Sequence, residues 1–313
     1  MRALACPASL KGVLTAAEAA AALVEGMRAA GADGEALPVA DGGEGTAEVL
    51  ATSLGGHWQT ARVSDAFGVA HDARWLLLPD GVAVLESAAA VPLDPRRLDP
   101  FAASSRGFGE LIQAALEARP SALVLCLGGT ATMDAGAGLR EVVPGLPVPA
   151  RALYDVRSTL LEAPRVFGPQ KGASPADVVE LERRFAADEE LRPYAGRPGS
   201  GAAGGLGAAL ASRGAELVPG APHVLEAVGL RELLGDADLV VTGEGRVDAS
   251  TAAGKAPAAV AEAARHADVR CVVFGGLVAE PLPGVETVSL SGDPARAAND
   301  LRALGRDLVL KQH

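Results

Sequence analysis

The chain has 313 residues, 49% of them apolar, and a formal net charge of -11 at pH 7. That length can bury two cores, that apolar content excludes a disordered segment, and the acidic balance argues against a nucleic-acid partner. No apolar run is long enough to span a membrane, and the first, Ala3-Leu-Ala-Cys6, is too short for a secretion signal, so the protein is expected in the cytoplasm. Residues 2–6 read as a buried strand. A helix follows with a local start signal: Thr15 is placed to be its N-cap, and Glu18, three residues on, completes a capping box. Gly31 stops it. Residues 35–39 read as the next strand and 45–54 as the next helix, closed by Gly55-Gly56.

The pattern then changes. Residues 57–63, 73–78 and 82–86 are short strand-like runs joined by turn residues such as Pro79-Asp-Gly81, with no helix between them, which reads as an antiparallel meander. A helix over 105–117 leads into an apolar run at 122–127. Ser174 as N-cap, Pro175 at the first helical position and Asp177 in the first turn mark a charged surface helix over 174–190. Residues 193–207 are rich in Gly and Pro and read either as a flexible loop entering a helix or as a ligand loop. Gly204-Gly-Leu-Gly207 follows no strand, so it lacks the context of a dinucleotide-binding turn. Residues 238–242 and 270–274 restore the β-α-β order, with a helix between them starting near Lys255 and carrying Pro257 in its first turn. The expected fold class is α/β with two domains. A Rossmann/flavodoxin-like parallel-sheet domain is formed from 1–56 and 225–313, and a mixed α/β domain with the meander, 57–224, is inserted into it.

Three apolar runs end in glycines and acids: Asp41-Gly-Gly-Glu44-Gly-Thr46, Gly128-Gly-Thr-Ala-Thr-Met-Asp134 and Gly243-Glu244-Gly-Arg246-Val-Asp248. Glycine lets backbone approach a ligand, carboxylates hold a magnesium ion whose shell phosphate and water complete, and open α/β sheets bind ligands at the carboxyl ends of their strands. Such loops suit a metal-bound phosphate compound. Ser9-Leu-Lys11-Gly12, before a capped helix, is a candidate anion site. Phe167-Gly-Pro-Gln170-Lys171-Gly reads by itself as a turn with an exposed lysine. Cys6, Cys126 and Cys271 lie in apolar runs and read as core residues, and His57, His71, His223, His266 and His313 show no metal spacing.

Taken in order, these segments resemble the bacterial glycerate kinases that are unrelated to P-loop kinases. The matching segments are Ser9-Leu-Lys11-Gly12, Ala40-Asp41-Gly-Gly-Glu44-Gly-Thr46, Arg106-Gly-Phe-Gly-Glu110 and Gly128-Gly-Thr-Ala-Thr132 with Asp134. They continue with Phe167-Gly-Pro-Gln170-Lys171-Gly-Ala, Gly201-Ala-Ala-Gly-Gly-Leu-Gly207, Val240-Val-Thr-Gly-Glu244-Gly-Arg-Val-Asp248 and Gly254-Lys255-Ala-Pro257. The resemblance implies two α/β domains with the site in the cleft between them, and transfer of phosphate from ATP, with Mg2+, to D-glycerate, usually giving 2-phosphoglycerate. It implies catalytic roles for Lys11, Asp41, Asp134 and Asp248. Ser9, Arg106, Gly129, Thr130, Gln170, Lys171 and Lys255 are expected to hold substrate or phosphate, and Glu44, Glu244 and Asp248 the metal. Glycerate and ATP are the expected partners, with neither nucleic acid nor membrane, and the chain could act alone or as a homodimer.

The chain departs from the family pattern in several places. Ala8 stands where an aspartate is usual and Met133 where an asparagine is usual. Ala135 replaces a glycine, and Ser158-Thr159 replaces Asn-Pro. The stretch before Phe167 is also short. A methionine cannot replace an amide's hydrogen bonds. The alternative expectation is therefore a catalytically impaired glycerate- or nucleotide-binding homologue, or a kinase for another small hydroxy acid.

Overall fold

The computed structural model describes residues 1–252 and 254–311; His313 lies outside the described residues. The chain divides into two compact units. The first comprises Met1–Asp41, Glu48–Ser53 and Ala221–His313, and the second Gly42–Ala47 and Leu54–Gly220.

The strands in chain order are β1 (Arg2–Pro7), β2 (Asp33–Ala36), β3 (His57–Ser64), β4 (Ala70–Leu77), β5 (Val82–Glu86), β6 (Ala122–Leu127), β7 (Ala150–Tyr154), β8 (Glu216–Pro219), β9 (Leu239–Val247), β10 (Arg270–Val278) and β11 (Glu286–Ser289). In the first unit the described residues form a five-stranded sheet in the order β11-β10-β9-β1-β2, and every pairing in it is parallel. Parallel strands with both faces covered read as continuous apolar runs, and β1 runs from Ala3 to Cys6 with no exposed side chain. The helices Ala16–Ala29 and Ala297–Leu310 pack on the sheet around Leu23, Met27, Leu301 and Leu308. The first of them has the expected capping box: the Thr15 hydroxyl accepts from Glu18 N, and the Glu18 carboxylate accepts from Thr15 N. Gly26 and Gly305 let the two helices touch through backbone, because a Cβ on Gly26 would lie 1.9 Å from Arg302 O and one on Gly305 2.4 Å from Leu23 O.

The second unit carries a six-stranded sheet in the order β3-β4-β5-β6-β7-β8. The expected meander is present, since β3, β4 and β5 pair antiparallel, while β5 through β8 pair parallel. Its core gathers Phe108, Leu111 and Ile112 from the helix Arg106–Glu117 against Leu85, Leu123 and Leu125 of the sheet. The fold is thus mixed α/β, with one parallel and one mixed sheet.

Two segments differ from expectation. The second strand stops at Ala36 rather than continuing to residue 39. Leu37 N and Val39 N still bond to Ala5 O and Pro7 O, but Pro7 has no N–H to return to Leu37 O, so the segment follows β1 without a regular ladder. Conversely, Gly243-Glu-Gly-Arg-Val247 is not a loop: β9 runs through it, pairing Glu244 with Gly275 and Arg246 with Leu277. The close approach is possible because these positions are glycine. A Cβ on Gly243 would sit 2.1 Å from Phe274 O, and one on Gly276 2.7 Å from Gly245 O.

Candidate active site

Parallel pairing puts the ends of successive strands at one edge of a sheet, and the loops that leave them share that edge. In the first unit, Ser9 and Lys11 follow β1, Asp41 follows β2, and Glu244 and Asp248 lie at the end of β9. Glu244 is mostly buried. Its Oε1 accepts from Thr251 Oγ1 at 2.7 Å and its Oε2 lies 3.6 Å from Lys255 Nζ. Burial raises its pKa above the ordinary carboxylate value; Thr251 and Lys255 oppose that rise and the charge of Asp41 adds to it. Lys255 itself is the N-cap residue of the helix Ala256–His266, whose first turn carries Pro257 as expected.

Asp248 faces its own turn. Its Oδ1 accepts from Ser250 N at 2.9 Å and Ser250 Oγ at 2.6 Å, and its Oδ2 from Arg246 Nε at 3.0 Å. The Ser250 side chain and backbone, then Arg246, hold its pKa down at about 2. It stays ionised and fixes the turn. Ser9 and Lys11 are exposed and Asp41 is half-buried.

In the second unit β5, β6 and β7 point the same way, and Glu86, the Gly128–Gly138 loop and Asp155 follow their ends. Ser87 ties the first to the second: its hydroxyl donates to Gly128 O and accepts from Gly128 N, both at 3.2 Å. The Gly129 backbone has φ +65, and a Cβ there would lie 3.3 Å from Glu44 Oε2, so the glycine makes room for that acid.

Asp134 is not an open carboxylate. Its Oδ2 accepts from Ser105 N and Ser105 Oγ, each at 2.8 Å, and from Gly138 N at 3.1 Å, while Oδ1 accepts from Gly136 N at 3.0 Å. It clamps the loop to the starts of the helices Arg106–Glu117 and Ala137–Val142. Arg106 pairs with Glu110 at 3.1 Å and with Glu141 at 3.2 Å. Gln170 is exposed.

Lys171 is the largest departure from the sequence-based expectation of an exposed lysine. It is 4% exposed, and its Nζ donates to Thr132 O at 2.8 Å and Thr130 Oγ1 at 3.3 Å. Burial lowers its pKa to about 7, and the charge of Asp134 offsets only part of that. The burial is built by segments far away in sequence. Residues 201–207 are not a flexible loop but a kinked start to the helix Ala202–Ser212, with left-handed backbone at Ala203, Gly204 and Gly205. Gly204 packs so closely under the loop that a Cβ would lie 1.9 Å from Thr132 O. Met133 sits with Leu160, Ala163 and Phe185 in an apolar cluster and is 1% exposed. Ala135 adopts φ 51, the left-handed region that favours glycine, which accounts physically for the glycine usual there in the family.

Sequence reasoning missed Glu86, Ser87 and Thr46. Glu86 Oε1 accepts from Ala47 N at 2.8 Å, and Thr46 is fully buried with no hydrogen-bond partner for its hydroxyl. The available signal is position: Glu86 is an acid at the last residue of an apolar strand. Among the described residues no group of three or more His, Cys, Asp and Glu side chains is arranged to hold a metal ion, and no helix is long and apolar enough to cross a membrane. Cys6 and Cys126 are buried and Cys271 half-buried; burial pushes the Cys271 thiol up to about 12.

Comparison with known proteins supplies the remaining evidence. The chain matches the glycerate kinase family over residues 3–143 and 147–292. It is 36% identical to a glycerate 2-kinase of Escherichia coli, over 85% of this chain and 82% of that protein. It is 35% identical to a glycerate kinase of Halalkalibacterium halodurans, over 98% of this chain and 92% of that protein. Among solved structures, a candidate glycerate kinase 2 from Salmonella typhimurium LT2 superposes with a TM-score of 0.85 at 31% identity, covering 100% of this chain and 98% of that one. The ordered motifs, the two sheets and these matches agree, and the chain belongs to the glycerate kinase family.

Proposed function

We propose that the protein transfers the γ-phosphoryl group of ATP to a hydroxyl of D-glycerate, giving 2-phosphoglycerate. The observation that carries this is the family match along nearly the whole chain, with Lys11, Asp41, Glu44, Glu244 and Lys255 all retained at or after strand ends. Such transfer depends on positioning and charge neutralisation more than on covalent steps. Lys11 and Lys255 would neutralise phosphate oxygens, and Ser9 and Thr130 would bond the substrate's oxygens.

The donor set fits Mg2+ held largely through phosphate. Magnesium needs only one or two protein carboxylates, and Glu244 is a buried acid whose pKa is raised partly by the neighbouring charge of Asp41, a repulsion that a cation relieves. Glu244 would hold it; when bound it would neutralise charge on the transferred group. Asp41 is the proposed base for the substrate hydroxyl, because Asp134 is occupied by backbone donors and Ala8 is not an acid. Asp134 and Asp248 act by fixing their loops.

A second reading, a different small hydroxy acid as substrate, rests on Met133: its thioether is buried in an apolar cluster where the family's asparagine amide would have been. The test is to incubate the purified protein with Mg-ATP and D-glycerate, follow ADP release, and identify the product by phosphorus NMR. Turnover yielding 2-phosphoglycerate, lowered at least 100-fold in Asp41→Asn, is the expected result, on the order of what removal of a general base costs. A folded protein that turns over other hydroxy acids and not D-glycerate would establish the second reading, and no turnover with any of them would overturn both.

A further inference from the structure

Thr130 and Lys171 form a buried pair whose hydrogen-bond directions are constrained. Thr130 is 2% exposed and Lys171 4%. A hydroxyl has one hydrogen to donate and two lone pairs, while an ammonium only donates. Thr130 Oγ1 accepts from Lys171 Nζ, and among the described residues there is no acceptor for the hydroxyl's own hydrogen. Nor is there a carboxylate within ion-pair distance of the ammonium, whose two partners, Thr130 Oγ1 and Thr132 O, are both neutral. Thr130 sits in the loop that leaves β6, an edge at which α/β sheets bind ligands, and Lys171 reaches it from the short helical turn Pro169–Lys171.

We propose that Lys171 is a positioning residue whose ammonium holds the Thr130 hydroxyl as an outward donor to an anionic group of the ligand, a carboxylate or a phosphate, and that loss of its proton turns that donor inward. This rests on the kinase reading for the ligand's identity. A neutral amine keeps two N–H donors and gains a lone pair. One N–H still serves Thr132 O, and at 3.3 Å the lone pair can accept the Thr130 O–H, which is then no longer offered to a ligand. A bound anion favours the charged amine, so binding takes up a proton. The other charges around the pair leave this balance to the two residues and Asp134. Asp134 is tied to Ser105 and Gly138. On adjoining segments Arg165 pairs with Glu182, Arg96 with Asp94, Arg97 with Asp65, and Asp177 with Ser174. The lowered pKa of Lys171, about 7, puts the switch in an accessible range.

The test has two arms. The chain has only four lysines, Lys11, Lys171, Lys255 and Lys311, so lysine Nζ resonances can be followed individually by NMR. One is expected to titrate between pH 6 and 8, to vanish in Lys171→Met, and to shift its midpoint in Thr130→Val. No lysine titrating in that interval, or a midpoint indifferent to Thr130→Val, overturns the coupling. In the second arm, the affinities of D-glycerate and of ADP are measured separately by calorimetry at pH 6 and pH 8. Whichever supplies the anion should bind about tenfold more weakly at pH 8, because only the protonated fraction is competent. Thr130→Val should bind weakly at both pH values, which also removes the ligand's own titration from the comparison, and Thr130→Ser should restore the pH dependence. A merely structural role would lower affinity by the same factor at both pH values and leave the roughly tenfold pH dependence in place. PH-independent binding of both ligands overturns the proposal. Failure of both to bind overturns its ligand half together with the kinase reading, and the NMR arm shows separately whether the coupling stands.

Discussion

Asp134 illustrates how a side chain in a candidate active site can act entirely on its own chain. Four donors, three of them backbone N–H groups, converge on its two oxygens. Asparagine at this position would keep one acceptor oxygen and turn an NH2 group toward donors. Hydrogen bonds to a charged acceptor contribute about 1.5–3 kcal/mol each, so Asp134→Asn should lower unfolding stability by about 3 kcal/mol in urea titrations. It should also weaken ligand binding, through loss of the loop geometry that Lys171 and Thr130 share. The acid itself was legible in the sequence and its full role was not, because Ser105 reaches it only through the tertiary fold. Lys171 fails in the same way: Gln170-Lys171-Gly172 is locally a turn, and only the packing of residues 201–207 buries it.

At the scale of elements, the most exacting contact is that between the helices Ala16–Ala29 and Ala297–Leu310. Gly26 meets the Arg302 carbonyl with no room for a Cβ. Overpacking a close helix pair costs about 1–3 kcal/mol, partly offset by alanine's better helix propensity. Gly26→Ala should therefore lower the denaturation midpoint, whereas an exposed alanine substitution elsewhere on the helix should not; equal effects would mean the contact yields easily. Element starts were the most legible part of the fold. Thr15 with Glu18, and Ser174 with Asp177, form the capping boxes that their spacing announces, since both partners lie within one helical turn. Strand limits were less so. Pro7, on the neighbouring strand, ends the ladder to β2 early, and glycines at 243, 245, 275 and 276 let β9 and β10 extend where such residues ordinarily signal a turn.

For the whole molecule, the perturbed groups set the pH dependence of stability. Asp94, Glu180 and Asp248 are held near 2, by Arg96, by Arg183 and Arg184, and by Ser250 respectively. Their folded pKa values lie below the unfolded ones, so their contribution is complete above about pH 4.5 and disappears as the pH falls toward 2. Glu244, whose pKa burial raises, works the other way, its contribution falling as the pH rises above 4.5. Lys171 binds its proton less readily folded than unfolded, so stability rises with pH from about 7 to about 10.5. Urea midpoints should show a steep acid limb and a rise from about pH 7 to about 9, above which the Cys6 and Cys271 thiols, held up by burial, oppose it; the rise should be missing in Lys171→Met, and its survival there would assign it to another group.

The sheet order of the first unit bears on how the chain is made. The inner strand β1 leaves the ribosome early but pairs on one side with β9, which begins at Leu239. At the usual 5–20 residues per second, β1 waits roughly 10–50 seconds for that neighbour. During this time the segment Ala3–Cys6 offers an apolar, unpaired edge, while 54–220 can emerge and collapse as a unit of its own. Yield during synthesis should thus be governed by protection of a six-residue strand at the start of the chain more than by the stability of the finished protein.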